Sequence, residues 1–208
     1  MNQSFEIMST LILVRHGQSI YNQENRFTGS LNIDLTQFGK EEAKLAGQKL
    51  LLYKFDFAYT STLRRAQESL KIILEAIHQT NIKIIKSNAL NERDYGNLQG
   101  LNKDETIAKY GLKQVEVWRR SYAIRPPEGE SLEDTFNRTI PFYELEVKPK
   151  LKLNNTILIV AHGNSLRALV MYLENSSQEE ISNLNIPTGI PIQYVFDENL
   201  KVMEVKYL

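Results

Sequence analysis

Leu11-Ile12-Leu13-Val14 is a run of four apolar residues that ends at once in a cation, an imidazole and a glycine, Arg15-His16-Gly17. A run this short cannot cross a membrane, and its continuity predicts a strand buried on both faces, as in a sheet covered by helices. Arg15 and His16 then stand at the strand's carboxyl end, where α/β sheets place their sites. Neighbours on a straight strand point to opposite faces, so both reach one pocket only if the chain turns there, and Gly17 permits that turn. Arginine offers a planar fork for phosphate or carboxylate, and neutral histidine can act as a nucleophile. Taken alone, the segment is equally a polar turn after a strand.

A second stretch repeats the design. Thr156–Ala161 is apolar after its first residue, and His162-Gly163-Asn164-Ser165 follows as a helix start. The chain has three histidines, and two of them close apolar strands and precede glycine. Core packing does not call for that coincidence. The third, His78, lies in the helical run 66–79 and reads as a surface or satisfied histidine.

Between and after these stretches, strands alternate with helices. The pattern predicts strands over 55–60, 82–87, 190–196 and 202–207. Thr36 caps a helix to about Tyr53, with Leu45, Leu50 and Leu52 on its apolar face. Further helices open at Ser61, Asn102, Ser131 and Ser177, and Pro141 should kink or divide the one that Ser131 caps. This alternation implies an α/β fold with a mainly parallel sheet covered on both faces. The polar stretch from Gly17 to Asp34, with Asn22, Arg26, Thr28 and Gly29, is long for a connection, and such loops are often functional.

Cations recur where a helix dipole disfavours them. Arg64-Arg65 open the helix after Ser61, and Lys103 opens the next. Such placement fits an anionic ligand that offsets the charge. Lys103 with Arg119 and Arg120 could form a clamp for a carboxylate or a second phosphate; seen alone, they are also ordinary surface charge.

Composition sets limits. The 208 residues carry 25 basic and 25 acidic side chains and are 42% hydrophobic, ample for a core. The balanced charge argues against nucleic acid or an anionic membrane as the main partner, while a local basic cluster remains compatible with a small anion. There is no cysteine, hence no disulfide framework or thiol nucleophile. No metal-ligand spacing stands out. The first ten residues lack the pattern of an export signal and no run reaches membrane-spanning length, so cytoplasm is the expected compartment.

Arg15-His16-Gly17 paired with Ala161-His162-Gly163 resembles the histidine phosphatase superfamily. The segments 25–29 (NRFTG), 90–103 (LNERDYGNLQGLNK), 117–122 (VWRRSY), 161–167 (AHGNSLR) and 184–191 (LNIPTGIP) narrow this to the cofactor-dependent phosphoglycerate mutases. The resemblance runs from about Leu11 to the end. It implies one domain over 1–208 with a three-layer α/β/α fold, one antiparallel strand, and a cap formed largely by 90–131. It implies that His16 becomes a phosphohistidine primed by 2,3-bisphosphoglycerate, with Arg15, Arg65 and His162 on the phosphoryl oxygens and His162 aiding if cationic. Glu92 would exchange the proton. Asn22, Thr28, Gly29, Tyr95, Lys103, Arg119, Arg120, Gly163 and Asn164 would bind a phosphoglycerate. No metal would be needed.

The chain departs from the family in three places. The insert of the long forms, after Pro126-Pro127, is absent, which marks the short form and leaves a monomer or small homo-oligomer as the expectation. Ser30 stands where an aromatic often follows Thr-Gly. The chain stops at Leu208, so most of a mobile tail is expected to be lacking. Other readings remain: a phosphatase that passes the phosphoryl group to water, and an inert binding module on the same fold.

Overall fold

The computed structural model describes residues 9–208; the expectation about an export signal falls largely on residues 1–8, outside them. In chain order the regular elements are β1 (Ser9–Arg15), α1 (Ile20–Gln23), α2 (Gln37–Lys49), β2 (Phe57–Thr60), α3 (Arg64–Ala76) and β3 (Lys83–Lys86). They continue with α4 (Lys103–Tyr110), α5 (Leu112–Arg120), α6 (Leu132–Phe142), α7 (Lys148–Leu151) and β4 (Thr156–Ala161). The last are α8 (Gly163–Glu174), α9 (Gln178–Asn183), β5 (Pro191–Phe196) and β6 (Val202–Tyr207). The strands form one sheet in the order β3-β2-β4-β1-β5-β6. β1, β2, β3 and β4 pair in parallel, β5 runs antiparallel to both β1 and β6, and β5 is thus the one reversed strand.

Alternation along the central strands sorts their side chains into two cores. Leu11, Leu13, Ile157 and Ile159 face Leu132, Val147, Leu166 and Leu169. Ile12, Val14, Leu158 and Val160 face Ala43, Ala46, Leu70 and Ile73 on α2 and α3. Helices therefore cover both faces, the three-layer arrangement. Each fully buried aliphatic side chain contributes roughly 1.5–3 kcal/mol relative to exposure, so the apolar runs that end in the two histidines also anchor the sheet. A third, small core of Phe27, Leu98 and Val115, with Tyr95 and Trp118 against it, holds the segment between β3 and α6.

Several expectations need correction. α2 ends at Lys49, because Leu50 is the last side chain with a core to enter. Leu45 and Leu52 point away from it, Leu52 being 98% exposed; small residues, Ala43, Ala46 and Gly47, make the buried face instead. The loop after Gly17 contains the short helix α1, held by a capping box between Ser19 and Asn22. His78 lies just beyond α3, exposed and in the left-handed region (φ 57°). Pro141 does not divide its helix: α6 passes through a π turn, Tyr143–Val147, into α7. Pro141 removes only the bond its N–H would make one turn back, to the Asn137 carbonyl.

Gly17 is required for a reason other than a turn. It does not take a positive φ; a Cβ there would lie 1.9 Å from the Gly39 carbonyl oxygen. A Cβ on Gly39 would in turn lie 2.1 Å from the Gln18 carbonyl oxygen. Two glycines thus let the start of α2 press against the chain leaving β1.

Candidate active site

β1 and β4 are adjacent, with Arg15 opposite Ala161. One residue further on, His16 and His162 stand side by side, their ring centroids 4.9 Å apart. The strand pairing continues through the His16 N–H, which donates to the Ala161 carbonyl (3.0 Å). Arg15 leaves its strand on the opposite face, yet both side chains line the same cavity, because the cavity lies beyond the strand ends.

The His16 ring is fixed. Nδ1 lies 2.6 Å from the Gly17 carbonyl oxygen. A carbonyl only accepts, so Nδ1 carries the proton and Nε2 has a free lone pair. The Arg65 Nε–H points at that nitrogen from 3.3 Å. The surrounding backbone is held as well, since the Gly17 N–H donates to Ser69 Oγ (3.1 Å) and Ser69 Oγ donates to the Arg65 carbonyl (2.8 Å). Burial, then Arg65 and Arg15, pushes the His16 pKa well below the ordinary histidine value.

Arg65 comes from the first turn of α3 and is 1% exposed. Its Nη groups donate to the Leu31 and Gly29 carbonyls at 2.7 and 2.8 Å. Among the described residues no acid forms an ion pair with it, and burial lowers its pKa to about 10. Arg64, its neighbour, turns outward to Asp34 (3.3 Å). Arg15 Nη1 donates to the Ile186 carbonyl (2.8 Å), while its buried Nε has no partner.

His162 is the N-cap of α8. Its Nε2 lies 2.7 Å from Ser61 Oγ. Ser61 Oγ also accepts the Leu63 N–H (3.2 Å). Nδ1 of His162 is buried and has no partner among the described residues. The cationic form in which His162 would aid most is disfavoured: burial, then Arg65, His16 and Arg15, lowers its pKa well below the ordinary value. The neutral ring still offers one N–H donor.

Glu92 is anchored through one oxygen. Oε1 accepts the Arg93 N–H (2.9 Å), the Asn164 N–H (3.0 Å) and Asn164 Nδ2 (3.0 Å). Burial would raise its pKa, but the Arg93 N–H, Arg65, Arg15 and Asn164 outweigh that and hold it below the ordinary glutamate value. Oε2 is left beside Gly163. A Cβ on Gly163 would stand 3.6 Å from Oε2 and 3.7 Å from the Arg15 guanidinium carbon, at the edge of the space between them.

The cavity, about 130 Å³, gathers the expected residues His16, Arg15, Arg65, Glu92, Asn22, Thr28, Gly29, Tyr95, Lys103, Arg119, Arg120, Gly163 and Asn164 on its wall. His162 contributes from behind, through its contacts with His16 and Ser61. Arg119 and Arg120 end α5, where the helix dipole favours cations. Lys103 opens α4, which Asn102 caps, and its Nζ sits 5.9 Å from the centre of the Phe27 ring. Burial, then Arg119, lowers the pKa values of Lys103 and Arg120. Asn22 has a second task as the α1 capping partner, its Oδ1 accepting the Ser19 N–H at 3.0 Å. Gly29 takes φ +54°, and a Cβ there would meet Gln99 Oε1 at 2.0 Å. Ser30, in place of an aromatic, donates from Oγ to Asp94 (2.9 Å) and from its N–H to Gln99 Oε1 (2.6 Å), tying this loop to the 90–100 segment.

Sequence reasoning noted Arg26 only in the long polar loop and did not assign it, or Phe27, Arg167, Asn185 and Ile186, to the wall. Arg167 sits one helical turn after Asn164, and that spacing was a usable signal. Burial, then Arg120, lowers its pKa to about 10. The wall thus carries seven basic side chains and one acid on a chain of zero formal net charge. Such a pocket selects a small ligand with more than one anionic group. Among the described residues no group of three or more His, Asp or Glu could hold a metal ion, and no helix is long and apolar enough to cross a membrane.

Lowering the pH should leave the His16 and His162 ring signals in place, by NMR, from pH 8 to about 5.5, past the ordinary histidine value of about 6.5. The sign for stability follows. On unfolding, both rings take up protons that the fold denies them, so stability is unpenalised above about pH 6.5 and falls as pH drops below it. Ring signals that titrate near the ordinary value would show that the site is wetter than its geometry implies.

A family model of the histidine phosphatase superfamily (branch 1) matches residues 11–205. The 2,3-bisphosphoglycerate-dependent phosphoglycerate mutase of Mesorhizobium japonicum is 51% identical over 201 residues, 96% of this chain and 98% of that protein. Two solved structures share the fold at 23% identity. Mycobacterial hydrolase 1 superposes with a TM-score of 0.83, covering 96% of this chain and 97% of its own. Phosphoglycerate mutase from Bacillus anthracis has a TM-score of 0.76, covering 97% and 92%. A hydrolase and a mutase fit the fold alike, so the choice between them rests on sequence identity and on the site. The chain belongs to the histidine phosphatase superfamily and, within it, to the 2,3-bisphosphoglycerate-dependent phosphoglycerate mutases.

Proposed function

We propose that the chain interconverts 3-phosphoglycerate and 2-phosphoglycerate through a phosphohistidine on His16. The observation that carries this reading is the division of the basic wall. Arg15, Arg65, His162 and Glu92 surround a neutral His16 Nε2, while the segment between β3 and α6 adds Lys103, Arg119 and Arg120 as a second cationic group. A phosphatase needs the first group; a mutase needs both, because it must keep its ligand while the other oxygen is presented.

Three buried polar atoms without protein partners, Arg15 Nε, Thr28 Oγ1 and His162 Nδ1, fit a phosphoryl group, since buried polar groups are normally satisfied. Bound 2,3-bisphosphoglycerate would supply the phosphoryl group that first charges His16. The Nε2 lone pair of His16 forms the N–P bond as the bond from phosphorus to the alcohol oxygen breaks. Arg15, Arg65 and the His162 N–H take the charge on the non-bridging oxygens. Glu92 moves the proton: as the carboxylate it takes one from a glycerate hydroxyl that attacks phosphohistidine, and as the acid it returns one to a leaving oxygen. Lys103, Arg119 and Arg120 hold the far anionic group, each well-formed contact contributing roughly 1.5–3 kcal/mol.

The test is interconversion of the two phosphoglycerates, with and without added 2,3-bisphosphoglycerate, alongside release of free phosphate. Interconversion should dominate and should depend on the primer. Arg119→Ala should raise KM about tenfold or more, the loss of one charge-assisted contact, and raise the ratio of phosphate release to interconversion. Phosphate release that dominates in the wild type at saturating substrate would replace this reading with a phosphatase.

A further inference from the structure

Glu92 sits in irregular chain, two residues past a 3-10 turn at Asn88–Leu90 and before another at Gly96–Leu98. Neither a strand nor a helix fixes its main chain, although proton transfer needs its carboxylate placed to a fraction of an ångström. The fixing comes from α6. Arg138 Nη1 donates to the Ala89 carbonyl (2.8 Å) and reaches that of Asn88 (3.4 Å). Its Nη2 donates to the carbonyls of Asn91 (3.1 Å) and of Glu92 itself (3.2 Å). The remaining edge of the guanidinium grips Glu130, Nε to Oε1 at 3.1 Å and Nη2 to Oε2 at 3.0 Å. Glu130 closes the loop from the other side, accepting the Asp94 N–H on Oε2 (3.1 Å) while its own N–H donates to the Asp94 carbonyl (2.8 Å). Thr139, next on α6, donates to the Ala89 carbonyl (2.9 Å).

We propose that Arg138, held by Glu130, is a positioning residue for Glu92: it clamps the main chain on both sides of the proton-transfer carboxylate without lining the cavity. The inference rests on the proton role of Glu92. An ion pair between half-buried partners would by itself matter little; the carbonyl contacts are what set this pair apart. Arginine is suited to them because its planar fork offers five donors in fixed directions, which lysine does not. α6 packs against α8, which supplies the Asn164 donors to Glu92 Oε1. The main chain of Glu92 is thus held from α6 and its carboxylate from α8. Arg138 also bears on His162, where its charge adds to the lowering of the ring pKa, and the test must separate that effect.

The experiment is a double-mutant cycle on 3-phosphoglycerate turnover, with thermal unfolding measured for every variant. Arg138→Gln should lower kcat about 10–100-fold, as a displacement of order 1 Å does, and leave KM within about threefold. Arg138→Lys, which keeps the charge but not the fork, should lose most of the same rate. In a Glu92→Gln background, Arg138→Gln should change kcat by less than about twofold, because residues acting through one group are not additive. An equal loss in both backgrounds would mean that Arg138 acts elsewhere, through His162 or general stability, and would overturn the inference. So would a kcat for Arg138→Gln within about twofold of wild type in the Glu92 background. Should Arg138→Gln fail to fold, Glu130→Gln carries the same cycle, with the loss again confined to the Glu92 background. Glu92→Gln alone reads the proton role separately: an unchanged rate there overturns that role and this inference together.

Discussion

Replacing His16 with alanine is expected to abolish the phosphoenzyme and lower turnover by a factor on the order of 10⁶, the scale of removing a covalent nucleophile. Nothing else in the cavity offers an unprotonated nitrogen at that place. The His16 ring is held through Nδ1 by the Gly17 carbonyl, and its Nε2 faces Arg65. His162, the other imidazole, is tied through Nε2 to Ser61 Oγ and does not directly follow an arginine. Its expected part is to hold the phosphoryl group by a hydrogen bond rather than to attack it. His162→Ala should therefore still take up phosphate on His16, about 10²–10³-fold more slowly, as when one preorganised donor is lost. The measurement is incubation with 2,3-bisphosphoglycerate, followed by a search for acid-labile, base-stable phosphate on the protein and mapping of its position. Phosphate on His162 in either the wild type or His16→Ala would reverse the two roles.

The two histidines could be picked out of the sequence because each closes an apolar strand, and strand ends are where an α/β sheet puts its site. Their nearness could not. It depends on β1 and β4 becoming neighbours with Arg15 opposite Ala161, a pairing across 140-odd residues that no local pattern encodes. Arg65, Lys103, Arg119 and Arg120 were legible as cations in search of an anion, two of them at helix starts. Arg26 was legible only as part of a long polar loop and Arg167 only through its one-turn spacing from Asn164, since arginine in a loop or inside a helix is otherwise ordinary. Gly17 was legible as necessary but for the wrong reason. The close approach of Gly39 is a property of how α2 docks, and sequence position alone does not report it. The misread apolar face of α2 has a similar origin. Large residues drew attention, yet the helix packs on α3 through alanine and glycine, which allow the two backbones to approach.

Glu92→Gln should slow phosphoryl transfer to and from the glycerate hydroxyl by about 10²–10⁴-fold, the usual worth of a positioned proton carrier, with little change in ligand binding. Glutamine preserves much of the geometry. Its amide oxygen can take the Oε1 place and accept from the Arg93 N–H, the Asn164 N–H and Asn164 Nδ2. What it loses is the ability to gain and release a proton at the other atom. The wild-type carboxylate is held below the ordinary glutamate value by the Arg93 N–H, Arg65, Arg15 and Asn164, against burial, so without a ligand it is ionised at neutral pH. A phosphoryl group beside it, on the ligand or on His16, brings negative charge and pushes its pKa up, toward the range in which a carboxyl can both accept and return a proton. The charging of His16 and the transfer from it therefore call on Glu92 in opposite states, and the glutamine variant should impair both. Rapid-quench measurement of the two half-reactions, phosphoenzyme formation and its discharge by 3-phosphoglycerate, reads them separately. A slowing below about tenfold in both would leave Glu92 as no more than a hydrogen-bond anchor for Asn164, and the proton would have to move through His162 or water instead.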